Sequence, residues 1–226
     1  MMVSTMKGRQ KMTPNREDYL KLILELGGDE NSVSNKQIVS GLGVSAASVS
    51  EMISKLVKEG LVQHSPYKGA QLTEDGLKKA SALIRKHRLW EVFLVEHLNF
   101  TWNEVHDDAE VLEHVTSSHL AKQLEEYLNH PSYCPHGGMI PKENQIIHEK
   151  LRETLTGYPV NTKVRIARVL DEKDLLDYLV SIDLNIHDEF IIKDIAAYEG
   201  PITLENEDKQ IAVSYKAAST IFVDKL

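Results

Sequence analysis

The chain has 226 residues, 42% of them apolar, a single cysteine and a formal net charge of −8. That length can bury one large core or two to three small ones, and the acidic balance argues against a wholly basic nucleic-acid binder. A lone cysteine excludes an intrachain disulfide framework, and no run of eighteen apolar residues offers a membrane-spanning helix, so a cytoplasmic protein with no membrane partner is expected.

The charge is unevenly spread. Residues 1–100 hold 14 Lys and Arg against 11 Asp and Glu, whereas residues 101–226 hold 12 against 23. A mildly basic front and a strongly acidic back fit a DNA-facing head on a cation-binding body. Residues 1–11 carry Lys7, Arg9 and Lys11 but no apolar stretch of the kind a signal peptide needs, and are expected to form a disordered extension.

Glu17 to Gly27 places apolar residues at 19, 20, 22, 23, 24 and 26, an amphipathic helix stopped by the Gly27-Gly28 pair. Ser34 caps a short helix through Leu42, and Gly43-Val44 makes a tight turn. Ser45 caps a third helix, Ala46 to Glu59, with Val49, Met52, Ile53, Leu56 and Val57 expected on its inner face. Residues 61–64 and 70–73 read as short strands joined by Ser65-Pro66-Tyr67-Lys68-Gly69. Helix, short helix, turn, helix and hairpin is the order of a winged helix-turn-helix, with the third helix as the reader. A three-helix bundle that binds no nucleic acid is the bland alternative.

A long helix then runs from about Thr73 to Leu98, too long for a winged head. The apolar residues around it (Val92, Val95, Val105, Leu112, Val115, Leu120, Leu124) suit an all-helical dimer interface. Thr156 to Pro159 reads as a linker. After it come short β-rich runs at 163–170, 189–195, 202–204, 210–214 and 220–223, with a helix near 174–181, the pattern of a small barrel-like β domain. The expected organisation is an extension at 1–11, a DNA-binding domain at 12–84, a metal-binding and dimerisation domain at 85–155 and a β domain at 159–226. The fold class is mainly α with a small β domain.

The chemistry gathers in the middle. His106 to His114 reads His-Asp-Asp-Ala-Glu-Val-Leu-Glu-His. On a helix, Glu110, Glu113 and His114 stand at i, i+3 and i+4 and share one face. Two carboxylates and an imidazole converging there repel unless something positive lies among them, and a divalent cation answers that. A solvated acidic face is the simpler alternative. Against it, eight of the ten histidines fall between 87 and 148, and His87 and Glu91 form an i, i+4 pair on the long helix. Cys134-Pro135-His136-Gly137-Gly138 adds a thiol and an imidazole two residues apart, a competent half-site for a transition metal.

These segments together resemble the diphtheria-toxin-repressor family of metal-dependent transcriptional repressors, and its manganese-responsive branch in particular. The resemblance spans residues 13 to about 226. It rests on Glu17-Asp18-Tyr19, Arg85-Lys86-His87-Arg88 with Glu91, Val105-His106-Asp107-Asp108 leading to Glu110-x-x-Glu113-His114-Val115, and Cys134-Pro135-His136-Gly137-Gly138. It implies a winged helix-turn-helix head, a helical dimerisation domain and a C-terminal SH3-like or FeoA-like β-barrel. It also implies a primary regulatory metal site of Asp18, His87, Glu110, Glu113 and His114. Iron-responsive members have methionine at the position of Asp18 and cysteine at that of Glu110, and the hard carboxylates here favour Mn2+, with Fe2+ or Zn2+ possible in its place.

A binuclear manganese member has glutamate where this chain has Lys21, so that arrangement is not expected. The resemblance implies a second site of Glu91, Cys134 and His136 with Asp171. His106 falls where iron-type members have an ancillary ligand, and packing is the equal alternative. The DNA-reading residues would be Ser45, Ala47, Ser48, Ser50 and Glu51, with Lys36, Lys55, Tyr67 and Lys68 near phosphates. Many members have proline at position 47 and iron-type members have glutamine at 51, so an operator sequence does not carry over. The expected protein is a homodimeric Mn2+-activated repressor on double-stranded operator DNA, controlling metal-uptake genes, with no small organic substrate. An enzyme is disfavoured, because no nucleophile, general base or glycine-rich phosphate loop accompanies the acidic cluster. A winged-helix sensor of an organic ligand is the other rival.

Overall fold

The structure is a computed structural model describing residues 12–148 and 153–226. The expected extension at 1–11 lies outside the described residues. By internal contacts the chain forms two compact units, one of residues 12–83 with 146–148 and one of 84–145 with 153–226.

The first unit opens with helix α1 (Pro14–Glu25), which begins earlier than its apolar pattern because Pro14 suits the first helical position. Helix α2 (Asn35–Leu42) carries a full capping box, the Ser34 hydroxyl accepting from the Gln37 amide and the Gln37 side chain accepting from the Ser34 amide. Helix α3 (Ala46–Lys58) starts at Ser45, whose hydroxyl accepts from the Ser48 amide. Val49, Ile53 and Leu56 are its buried face, whereas Met52 is half-buried and Val57 is exposed. Five inward positions make too wide a stripe for a helix that must leave one face free. Strands β1 (Val62–Ser65) and β2 (Gly69–Leu72) pair antiparallel as the expected wing, Val62 opposite Leu72. Residues 146–148 return to this unit. Ile147 is buried and its amide donates to Ser81 Oγ (3.0 Å), while His148 Nδ1 lies 3.1 Å from the Asp29 carboxylate.

Helix α4 (Glu74–Leu98) contributes residues to both units. In the second unit it is joined by α5 (His106–Val115) and α6 (Ser118–Tyr127). Asp107 and Asp108 in the first turn of α5 complement its dipole, and Ser117 caps α6. Polar ties fix these helices: Arg85 bridges to Glu125 (2.7 Å) and Trp90 Nε1 donates to Thr116 Oγ1 (2.7 Å). Leu89, Val92, Ala121, Leu124, Leu128, Cys134 and Ile140 form the apolar cluster between them.

The rest of this unit is a five-stranded antiparallel sheet ordered β6-β5-β4-β3-β7. Its strands are β3 (Lys163–Val169), β4 (Glu189–Ile195), β5 (Ile202–Glu205), β6 (Gln210–Val213) and β7 (Ile221–Lys225). Helix α7 (Lys173–Ser181) follows β3, and a single turn, α8 (Tyr215–Ala218), which the sequence pattern did not suggest, precedes β7. Val164, Ile166, Leu176, Leu179, Phe190 and Ile192 centre its core, and Trp102 from the α4–α5 connection packs against them. The fold is mainly α with a small β domain, as expected. Among the described residues, no helix is long and apolar enough to cross a membrane.

Candidate metal centres and nucleic-acid surface

Helix α5 presents Glu110, Glu113 and His114 together, as their spacing requires, and their ligand atoms lie within 4.8 Å of one another. Glu113 is fully buried, its Oε1 lying 3.7 Å from His114 Nε2. His87 of α4 joins them: its Nδ1 is 2.6 Å from Glu113 Oε2 and 3.7 Å from Glu110 Oε2. Asp18 stands on α1 in the other unit.

The opposite edge of the same imidazole faces a second cluster. His87 Nε2 is 2.9 Å from Asp171 Oδ2 and 3.2 Å from Glu91 Oε1, and His106 Nδ1 is 2.7 Å from Asp171 Oδ2. Asp171 lies two residues beyond the end of β3, so the exit of a strand delivers this carboxylate to helices α4 and α5. Burial and the Glu91 charge push its carboxyl up. The hydrogen bonds from His106 and His87 and the charge of His136 outweigh them and hold it below the usual range.

Glu91, Cys134 and His136 form the third group, all buried, with ligand atoms within 4.8 Å of one another. His136 Nδ1 is 2.8 Å from Glu91 Oε1 and 3.8 Å from Asp171 Oδ1. Its Nε2–H donates to the Trp102 carbonyl at 2.6 Å. That bond leaves Nδ1 either to carry a proton beside Glu91 or to offer its lone pair to a cation. Burial works to lower the His136 pKa, yet the Glu91 charge and the bonds to Cys134 and Glu91 raise it to about 11. Burial likewise opposes ionisation of Glu91, and His136 and His87 overcome it, holding this carboxyl well below the ordinary value. The Cys134 thiol is pushed up, first by burial and then by the Glu91 charge.

Two buried carboxylate oxygens in this region, Glu91 Oε2 and Asp171 Oδ1, find no hydrogen-bond partner among the described residues. Leaving such atoms unsatisfied is costly, and a cation is the partner their charge calls for. The oxygen, imidazole and thiol donors present therefore fit a divalent metal. The expected two sets are redistributed: His87 lies between the primary cluster and Asp171, and Asp171 is nearer His87 and His106 than His136. The Trp102 carbonyl had no sequence signal at all, since any residue could supply it.

Of the residues expected to contact DNA, Lys36, Ser45, Ala47, Ser48, Ser50, Glu51, Lys55, Tyr67 and Lys68 are all exposed. Ser45 Oγ and Ser48 Oγ are 2.9 Å apart, and Ser50 Oγ donates back to the Ala46 carbonyl. Glu51 and Lys55 pair at 2.7 Å, the lysine's hydrogen bond and charge lowering the Glu51 pKa. Tyr67 stands at the wing tip with a left-handed backbone (φ 65°) and a fully exposed ring.

Comparison with known proteins matches this arrangement segment by segment. The model of the iron dependent repressor N-terminal DNA binding domain matches residues 11–70, that of the iron dependent repressor metal binding and dimerisation domain residues 73–142, and that of the FeoA domain residues 153–225. The diphtheria toxin repressor of Corynebacterium diphtheriae is 29% identical over 223 residues, 93% of this chain and 96% of its own. Among solved structures, the manganese regulator SloR is 44% identical with a TM-score of 0.84, covering 95% of this chain and 100% of that one. ScaR with bound Zn2+ is 40% identical with a TM-score of 0.84, covering 94% and 100%. The chain belongs to the diphtheria-toxin-repressor family of metal-dependent transcriptional repressors, in the branch that holds its manganese regulators.

Proposed function

We propose that this protein is a homodimeric repressor of metal-uptake genes that binds operator DNA when loaded with Mn2+, Fe2+ or Zn2+ being able to take its place. The observation that carries this reading is the convergence of Glu110, Glu113, His114 and His87, oxygen-rich and hard, on one partly buried spot of the helical body. A bound divalent ion supplies the positive charge that lets these carboxylates share it.

Asp18 is the ligand we assign to the head. With one donor on α1 and the others on α4 and α5, loading ties the DNA-binding unit to the dimer body and narrows the range of spacings between two recognition helices. The ordering cost is then met before DNA arrives, so operator affinity rises. Glu91, Cys134, His136 and Asp171 are assigned to a second site, with His106 beside it. Val92, Val105 and Leu124 of the expected interface are used in the internal core, but Val115 and Leu120 are exposed with Leu98, Val111 and Tyr127 on α4 to α6 and support dimerisation through the helical body. No catalytic role or organic substrate is assigned, and a cytoplasmic location follows from DNA as partner. Fluorescence anisotropy of a labelled operator, titrated with each metal, tests the reading. Equal affinity in chelator and in excess Mn2+ would sink it and favour an organic-ligand sensor.

Two further results are expected. Filling the second site should release protons, because His136, with a pKa of about 11, and the Cys134 thiol are both protonated at neutral pH. Calorimetric titration in two buffers of different ionisation enthalpy should report about two protons per ion at that site, since ligands must deprotonate to bind. A heat independent of buffer would remove both residues from the ligand set.

Base discrimination is assigned mainly to Ser48 and Glu51. A carboxylate in the major groove accepts from cytosine N4 and repels phosphate, so Glu51→Gln should change the preferred sequence and raise non-specific binding at low salt. Binding selection returning one consensus for both proteins would exclude Glu51 from base reading.

A further inference from the structure

Arg88 lies one turn before Glu91 on α4 and is only 6% exposed, yet a guanidinium cannot ligate a cation. Its Nη1 donates to the Met139 carbonyl. A Cβ built on Gly138 would lie 2.7 Å from Arg88 Nε and 2.8 Å from Cζ, so the guanidinium occupies the space a side chain at 138 would need. Residues 138 and 139 close the loop that bears Cys134 and His136. Within that loop the Cys134 amide donates to the Gly138 carbonyl and the Gly137 amide to the Cys134 carbonyl, both at 2.9 Å. Strand β3 holds it from another side: the Val169 amide donates to the His136 carbonyl (3.1 Å). Gly137, at φ 79°, approaches the Ala167 carbonyl so closely that a Cβ would stand 2.1 Å from it.

We propose that Arg88 is the positioning residue of the Glu91–Cys134–His136 centre, setting the separation between Glu91 on α4 and the two donors on the loop. This rests on reading that cluster as a metal site. Glu91 rides on the same helix three residues away, so a guanidinium fixed to Met139 and seated over Gly138 fixes the carboxylate against the loop. Lysine at 88 can reach the carbonyl but lacks the rigid planar fork that fills the space over Gly138.

The test uses Co2+ on the full-length protein. Cys134 is the only thiol, so a sulfur-to-cobalt charge-transfer band reports this centre alone. Wild type should show the band and Cys134→Ser should lose it. Arg88→Ala should need about tenfold more Co2+ for half of the band, the scale of loss when support behind a metal ligand is removed. Arg88→Lys should fall between. Gly138→Ala keeps every donor and the arginine itself but displaces the guanidinium, and should behave like Arg88→Ala. Helical circular dichroism should stay unchanged in all of them.

The proposal is overturned if Arg88→Ala or Gly138→Ala titrates like wild type, or if both lose the band only together with their helical signal. Absence of the band in wild type, or its persistence in Cys134→Ser, would instead overturn the metal-site reading beneath it.

Discussion

Glu113→Ala should leave a folded protein that needs on the order of a hundredfold more Mn2+ to reach half-maximal operator binding, beyond the tenfold-scale losses seen when only a ligand's support is removed. Its carboxylate is fully buried and addresses two imidazoles, one oxygen 2.6 Å from His87 Nδ1 and the other 3.7 Å from His114 Nε2. Truncation therefore removes a donor and also the group that aims His87. In the metal-free protein, losing the His87 partner costs about 1–3 kcal/mol, partly offset because a buried carboxylate no longer has to be desolvated. Glu113→Gln separates charge from shape, since it keeps volume and a hydrogen-bonding oxygen but weakens the pull on a cation. Asp18→Ala should move the Mn2+ requirement in the same direction if α1 supplies the remaining ligand. Anisotropy on a fixed operator, with metal as the variable, decides it. A Glu113→Ala titration within twofold of wild type would mean that the metal controlling DNA binding sits elsewhere.

Asp171→Ala should lower the stability of the metal-free protein by roughly 2 kcal/mol at neutral pH, the cost of leaving charged hydrogen-bonding groups without their partner. One oxygen of this carboxylate meets His87 Nε2 at 2.9 Å and His106 Nδ1 at 2.7 Å, and the other faces His136 Nδ1 at 3.8 Å. Because the folded carboxyl is held below its ordinary value, its contribution is present above the unfolded pKa of about 3.9 and is lost as pH falls through the folded one. The gap between wild type and variant should therefore be full at pH 7 and close in strong acid. Thermal melts across that range, with and without Mn2+, measure both terms. A gap that stayed undiminished in strong acid would show that Asp171 is not the ionised partner of these histidines.

The repeating patterns were the legible part. Apolar spacing, the Ser34 and Ser45 caps and the Pro66–Gly69 turn anticipated the wing and its reading helix, and the β runs after Pro159 became β3 to β7 within a few residues at each end. Each of these is written within a turn or a strand of its own neighbours, where 3.6-residue or two-residue periodicity acts directly. Val57 shows the boundary of that logic, because an apolar residue at the edge of a stripe is buried only if a neighbour covers it, and Val57 stays 41% exposed.

By itself, then, the sequence determined the order of elements and the face shared by Glu110, Glu113 and His114, since spacing on a helix suffices for both. Only the tertiary structure decided which partners meet across elements. It turned the two nitrogens of His87 toward Glu113 and Asp171, brought Asp171 within hydrogen-bond reach of a residue 84 positions away, and set His136 between Glu91 and the Trp102 carbonyl. It also seated Arg88 against Gly138. Those pairings come from packing between elements distant in sequence and from the need to satisfy buried polar groups, and no local periodicity encodes either.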